Sequence, residues 1–327
     1  MTRQFKADLL LFMITVFWGA SYVLTKMGLG AFEPFNLTAL RFIIAFGVSA
    51  PVFGRHIVKA DAKTYKYAFI LAVILFAVFM CMTFGLEYTT ASNAGFLQSL
   101  TVIIIPLISF AVLKQKIERM VIAGVCLAVV GIALLTLDTR LQVNFGDLLC
   151  LLCAALFAVH VVVTEVYTRN VDSVALGVLQ LGFVALFSTT FSLAVESFTL
   201  PGDLMSWIVV LALSILCTAV GYIVQTTAQR YTSAIHTGLI LSLEPVFSAV
   251  FSYIILKEVL APKGYVGAAV LLAGVLIAEL DSGKKTAGKT KQTDSEKMME
   301  GRIEEADFGN MVEAGLCKGM EKRPSSD

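Results

Sequence analysis

Apolar positions along this chain neither alternate nor recur as stripes. They run on in blocks of about 20 residues, the length that crosses a bilayer core as a helix, separated by short polar segments. Ten such runs are visible, at roughly 8–28, 34–53, 67–87, 93–113, 119–137, 147–168, 173–196, 206–228, 235–256 and 263–280. Unbroken runs lacking a two-residue period exclude a membrane β-barrel and predict helices. The connections are too short to hold anything folded. After residue 281 the pattern stops, and the Lys-, Glu-, Gly- and Ser-rich segment 282–327 reads as a disordered tail.

Two of the runs are versions of one sequence. "YTTASNAGFLQSLTVIIIPLISFAVLKQ", from Tyr88, aligns without a gap on "YTSAIHTGLILSLEPVFSAVFSYIILKE", from Tyr231, and the register holds through Gly124 with Gly267, Gly131 with Gly274 and Asp138 with Asp281. Upstream, "DLLLFMITVFW" from Asp8 echoes "DLLCLLCAALF" from Asp147 in a slightly different register. The chain is a five-helix unit written twice, over 7–138 and 144–281. Because five is odd, the second copy enters the membrane from the opposite side. The expected fold is therefore all-α and integral to the membrane, ten transmembrane helices in two inverted five-helix repeats. That plan belongs to secondary transporters, which bind solute near midplane between the repeats.

Each copy carries small residues on one face of its fourth helix. In the first they are Gly95, Ser99, Val102, Pro106 and Ser109; in the second, Gly238, Ser242, Pro245, Ala249 and Ser252. Steps of three and four keep them on one side, where small side chains let backbones approach closely in lipid. This predicts that the two helices pack across the pseudo-twofold axis. Gly124, Gly131, Gly267 and Gly274 give the fifth and tenth helices a seven-residue rhythm that reads as packing.

Composition agrees: 57% of residues are hydrophobic and 15% charged, with a mean hydropathy of +0.83, values outside the range of soluble domains. The Arg3–Lys6 start and the Gly19-Ala20-Ser21 segment imitate a secretory signal, but the apolar run continues to Met27 and its pattern recurs later as a helix. Lys and Arg near short loops set orientation. Arg3, Lys6, Arg55, Lys59, Lys63, Lys66, Lys114, Lys116, Arg119, Arg169 and Arg230 fall on one side, against Lys26, Arg140, Lys257 and Lys263 on the other. Both termini are thus expected in the cytoplasm. A net charge of +1 gives no sign of nucleic-acid binding. Cys150-x-x-Cys153 has no second pair of ligands, so it reads as packing and no metal is expected. There is no phosphate-binding loop, no H-E-x-x-H and no Ser/His/Asp constellation. No cofactor and no enzymatic activity are expected.

The Trp18-Gly19 pair, Arg41 in "LTALRF", "SLEPVF" followed by "LKE", and the doubled five-helix unit resemble the drug/metabolite transporter superfamily, specifically its ten-helix EamA-type branch. The resemblance spans 7 to 281. It implies that helices 1 to 4 and 6 to 9 surround a central cavity, with helices 5 and 10 outside, and that small metabolites, often amino acids or their relatives, are exported or exchanged across the cytoplasmic membrane. By the same analogy Trp18, Tyr22, Phe84, Tyr222 and Gln225 line the cavity. The first copy departs from the family pattern, with Thr101-Val102 where Glu-Pro is common and Lys114-Gln115 where Gly-Glu often ends the helix.

Two charges sit deep. Glu244 is about 15 Å into its helix at the α-helical rise, and Arg41 lies seven residues into the second helix. Ionisable groups at such depth face the bundle interior or a wet cavity and mark a pathway. Arg41 keeps its charge, so it needs an anion, a carbonyl cluster or water, and Glu244 or a solute carboxylate is the expected partner. Glu244 is also the first candidate proton carrier, or else a hydrogen-bonding group between helices. His160, at mid-depth in helix six, reads first as a packing residue and second as a proton carrier.

The expected protein is a carrier of small organic solutes in the inner or plasma membrane, monomeric or homodimeric, coupled to protons or to a counter-solute. A nucleotide-sugar or phosphate-ester exchanger is the rival within transport, and a membrane signalling subunit is the rival outside it.

Overall fold

The computed structural model describes residues 3–113, 119–136, 144–241, 243–259, 261–270, 272–274 and 277, and every regular element among them is helical. The expected tail at 282–327, the repeat ends at 138 and 281, and Lys114, Gln115, Arg140 and Ser242 lie outside the described residues. In chain order the helices are α1 (Arg3–Gly28), α2 (Pro34–Val52), the short α3 (Gly54–Val58), α4 (Ala62–Tyr88), α5 (Ala91–Gln98), α6 (Thr101–Leu113) and α7 (Arg119–Thr136). The second half holds α8 (Phe145–Thr168), α9 (Ser173–Val195), α10 (Leu204–Ala212), α11 (Gly221–Gln229), α12 (Ala234–Leu241) and α13 (Glu244–Phe251), with π-helical turns at Leu213–Val220 and Ser252–Leu256.

Among the described residues, seven stretches are long and apolar enough to cross a membrane, and two shorter apolar helices run over Ile122–Gly131 and Glu244–Leu256. Residues 262–270 add a further helical stretch. The ninth run, read from sequence as one helix over 235 to 256, is divided between α12 and α13 at Leu243. The fourth run is divided too, α5 ending at Gln98 and α6 starting at Thr101. These breaks fall at matched positions of the two repeats.

Helix starts follow local chemistry. Asp61, Asn144, Asp172 and Asp203 each accept a backbone N–H of their own first turn, the role short polar side chains play at N-caps. Helix α2 begins with Pro34, whose missing N–H costs nothing at that position, and its cap comes from elsewhere in the chain. The Glu196 carboxylate, just past α9, accepts from Phe35 N at 3.0 Å and Asn36 N at 2.7 Å.

The packing is symmetric under exchange of the repeats. Helix α4 lies along α8, as the α10–α11 rod lies along α1; α4 touches α9, as the π turn and α10 touch α2; α2 and α9 lie against each other. At the centre α5 meets α13 and α12 meets α6. A Cβ added to Gly95 would come within 2.5 Å of Ser248 Oγ and 3.6 Å of Pro245 Cα. One added to Gly238 would come within 3.0 Å of Ile105 Cδ1 and 3.8 Å of Val102 Cα. Val102 and Ile105 are the repeat counterparts of Pro245 and Ser248, so both glycines make the same close approach across one axis. Gly124, Gly131, Gly267 and Gly274 are all buried.

Each end of the α2–α9 pair is fastened by a carboxylate. At the end rich in Lys and Arg, His56 Nδ1 lies 2.9 Å from Asp172 Oδ2; at the other, Glu196 holds α2. Lys26 donates to the carbonyls of Leu86, at 2.6 Å, and Thr89. It closes the C-terminus of α4, where carbonyls have no helical partner and a cation is favoured. The end of the bundle that holds His56 is its basic end, and the one where Glu33, Glu87 and Glu196 gather is its acidic end.

Candidate functional site

A cavity of about 30 Å³ lies at the centre of the bundle, room for a water or two in this arrangement of the helices and well below the range of small-molecule sites. Arg41 from α2 and Glu244 from the start of α13 both line it, with Trp18, Ser21 and Tyr22 from α1. Aromatic rings make much of the remaining wall: Phe79, Phe157 and Tyr222, with Trp18 at 5.7 Å from Phe157 and 5.2 Å from Tyr222, and Phe79 at 5.9 Å from Tyr222.

Arg41 and Glu244 share the cavity without pairing. Among the described residues no carboxylate lies within ion-pair distance of Arg41. Its Nη2 donates to Ser21 Oγ at 3.1 Å, its Nε donates to Thr218 Oγ1, and its guanidinium sits 4.6 Å from the Phe79 ring centre. Hydroxyl dipoles and a ring face offset part of the cost of burying the charge. They use only some of the fork's N–H donors, so the group remains short of an anion. The expected Glu244 partner is not the one it has. Glu244 instead stands beside Tyr22 in the cavity wall. Two groups of opposite charge that share a cavity without pairing can face the two ends of one zwitterionic solute.

The frame around Arg41 depends on the π turn at Leu213–Val220. Trp18 Nε1 donates to the Cys217 carbonyl at 2.8 Å, and Thr218 from the same turn receives Arg41. A π turn places carbonyl and side-chain groups where a regular α-helix would not, and such turns recur at functional sites.

Phe84 and Gln225, expected in the cavity wall, stand elsewhere, and His160 packs as its first reading has it. Phe84 meets the Phe35 ring edge-on at 5.4 Å, and Phe35 in turn stacks with Phe76 and Phe191. His160 is fully buried, with its Nε2 at 3.1 Å from Gln180 Oε1; Gln180 Nε2 then donates to Thr226 Oγ1 at 3.1 Å. Gln225 is fully buried outside the cavity. Counting along a helix sets depth but does not choose which neighbour a face meets, and these three faces meet other helices.

The cavity also includes residues that the sequence reading passed over: Ser21, Val78, Phe79, Met82, Gln98, Cys153 and Phe157. Two were within reach, because Phe157 is the repeat counterpart of Trp18 and Phe79 that of Tyr222. The same register relates the two networks: Arg41 with Ser21 in the first copy, Gln180 with His160 in the second. Cys150 and Cys153 are both buried, and Cys153 lies in the cavity wall. Among the described residues no group of three or more His, Cys, Asp or Glu side chains converges as a metal set.

Outside the spans, Asp172 is held below the usual carboxylate range: burial pulls it upward, but the Ala175 N–H, His56 and the Val174 N–H outweigh that. Burial pushes Glu196 above its ordinary value, although the N–H groups of Phe35 and Asn36 draw it back.

Comparison with known proteins places these features in context. The EamA-like transporter family matches over residues 5–137 and again over 144–280. An uncharacterized transporter of Archaeoglobus fulgidus is 32% identical over 281 residues, 85% of this chain and 87% of that protein. The uncharacterized transporter YetK of Bacillus subtilis is 27% identical over 290 residues, 85% of each. A crystal structure at 19% identity superimposes with a TM-score of 0.66 over 85% of this chain and 98% of the other, a likeness of fold.

Proposed function

The chain belongs to the EamA-like transporter family and is a multi-pass membrane transporter; from that premise we propose that it exports or exchanges small organic metabolites, amino acids and their relatives foremost, by alternating access through the Arg41–Glu244 cavity. The observation that carries this reading is the pair of opposite charges unpaired in one aromatic-walled cavity, with Arg41 held by neutral groups. A solute carboxylate completes Arg41, whose planar fork suits it, and a solute ammonium completes Glu244. The rings of Trp18, Phe157 and Tyr222 supply apolar surface to the rest of the solute.

The repeats at 7–138 and 144–281 are the two bodies that move, and the breaks after Gln98 and Leu241 are where the central helices bend. Interrupted helices at the repeat interface are the recurrent setting of transporter sites. The protein sits in the inner or plasma membrane with its basic end and both termini in the cytoplasm. A nucleotide-sugar or phosphate-ester exchanger is disfavoured because Arg41 is the only Lys or Arg among the cavity-lining residues.

Purified protein, wild type and Arg41→Gln, is to be melted in the presence of a panel of amino acids, organic cations, organic acids and sugar phosphates. Zwitterions should raise the wild-type Tm and leave the variant unmoved. Stabilisation confined to sugar phosphates would transfer the site to the rival class. Coupling is tested separately. If Glu244 carries a proton, Glu244→Gln in liposomes should lose the acceleration that an imposed pH gradient gives the wild type, and full retention of that acceleration removes Glu244 from coupling.

A further inference from the structure

Gln225 is fully buried on α11, and among the described residues neither its amide nitrogen nor its amide oxygen has a hydrogen-bond partner. A primary amide deprived of partners at both ends opposes folding, where a leucine of similar size would not. It has company. Thr164 Oγ1 and His160 Nδ1 on α8, Gln229 Oε1 on α11 and Thr237 Oγ1 on α12 are buried and unpartnered in the same sense.

These groups share a place. Gln225 follows the cavity wall residue Tyr222 by three positions, and it follows Gly221 by four, where a side chain would strike the Trp18 ring. Gln229 lies one turn further on, and its Nε2 donates to the Val161 carbonyl of α8 at 3.1 Å. On α8, His160 and Thr164 follow the cavity wall residue Phe157 by three and seven positions. Steps of three, four and seven keep each set on one helix face. Thr237 stands two turns before Glu244. Every one of them lies between the cavity and the basic end. Polar faces that continue a cavity wall, yet are buried and without protein partners among the described residues, are accounted for if a second arrangement of the same helices wets them.

We propose that the groove between α8, α11 and α12 is the half of the transport passage that leads to the basic end, shut in this structure, and that Gln225, His160 and Thr164 meet water and solute when it opens. This rests on the transporter reading above. The repeat adds support. Thr25, the counterpart of Thr164 in the register that matches Asp8 with Asp147, is likewise buried with an unpartnered hydroxyl, and it lies near the acidic end of α1, where the opposite half of the passage would run.

Thr164→Cys and Gln225→Cys, with Leu176→Cys as a packed-core control, are made in the full chain and reconstituted in liposomes. A membrane-impermeant thiol reagent is applied to one face at a time, and peptide mass spectrometry reads the introduced cysteine apart from the native ones. Both should react from the basic-end face alone, at least about tenfold faster than the control, which an open state of a few per cent population suffices to give. Rates equal to the control from either face, or reaction from the acidic-end face, overturn the proposal. Gln225→Leu gives a second reading that does not depend on the cysteine variants folding. It should melt higher than wild type, the unpartnered amide being gone, and transport about tenfold more slowly. A higher Tm with undiminished transport also overturns it. The labelling needs no solute, so it stands or falls independently of the solute class proposed above.

Discussion

Arg41 and Glu244 are the residues on which the proposed function rests, and their surroundings differ. Arg41 is fixed by Ser21, Thr218 and the face of Phe79, so it is preorganised for an incoming carboxylate. A charge-assisted hydrogen bond contributes about 1.5–3 kcal/mol, so Arg41→Gln should slow transport about 10- to 100-fold while protein levels in the membrane stay constant, as measured by initial uptake normalised to purified protein. Glutamine is what the second repeat carries at the matching position, Gln180, which makes the substitution compatible with the helix. Unchanged uptake would remove Arg41 from the site. At this scale the sequence announced the two charges by depth alone. It could not announce that they stand unpaired, because that depends on which neutral groups of α1 and of the π turn reach them first.

The elements are held together by close approach, and glycine positions measure it. A Cβ at Gly19 would collide with Phe247, and one at Gly95 would collide with Ser248, whereas one at Gly47 meets nothing within 4 Å. Gly95→Ala and Gly19→Ala should each cost about 1–3 kcal/mol by overpacking, and Gly47→Ala should be neutral or stabilising by about 0.5–1 kcal/mol; thermal melts of the three purified variants check the ranking. The small-residue stripe that predicted the α5–α13 contact was legible because its cause is local side-chain size. The breaks were less so. Pro245 cannot donate to the Leu241 carbonyl, which explains the second break, but the first repeat has Val102 at that position. There Ser99 Oγ donates to the Phe96 carbonyl at 2.6 Å, a side-chain bond that competes with the helical ladder. At the basic end, Asp172 caps α9 and faces His56. Its carboxyl is depressed in the folded protein, so its charge contributes stability that is present above the ordinary carboxylate pKa of about 3.9 and is lost as pH falls through the lower folded value. Asp172→Asn keeps the cap and loses the charge. Melting curves of wild type and variant should therefore differ by a few tenths of a kcal/mol near neutral pH, as exposed pairs do, and converge below about pH 4. A constant gap would locate the effect elsewhere.

The whole molecule is a duplicated unit, and that was legible from the gapless match beginning at Tyr88 and Tyr231, since repetition needs no structure to be seen. Its geometric consequence appears in the paired approaches of Gly95 to Ser248 and Gly238 to Ile105, and in the helix contacts that exchange under the repeat. Carrying Trp18 and Tyr222 through the repeat register would have added Phe157 and Phe79 to the site. The displacement of Phe84 and Gln225 from the cavity was not legible, because rotation of a helix about its axis is set by its neighbours. A carrier whose work is done by the two repeats does not need the segment after them. Removal of residues 285–327 should leave uptake intact, and its loss would favour the signalling alternative. The central claim, that a solute passes through the Arg41–Glu244 cavity by alternating access, is tested most directly by counterflow in proteoliposomes. Vesicles preloaded with unlabelled metabolites, amino acids included, are offered the same compound in labelled form. At least one zwitterionic compound should be taken up faster into preloaded than into empty vesicles, and Arg41→Gln should abolish the difference. Absence of that acceleration across the panel, or its survival in Arg41→Gln, would contradict the claim.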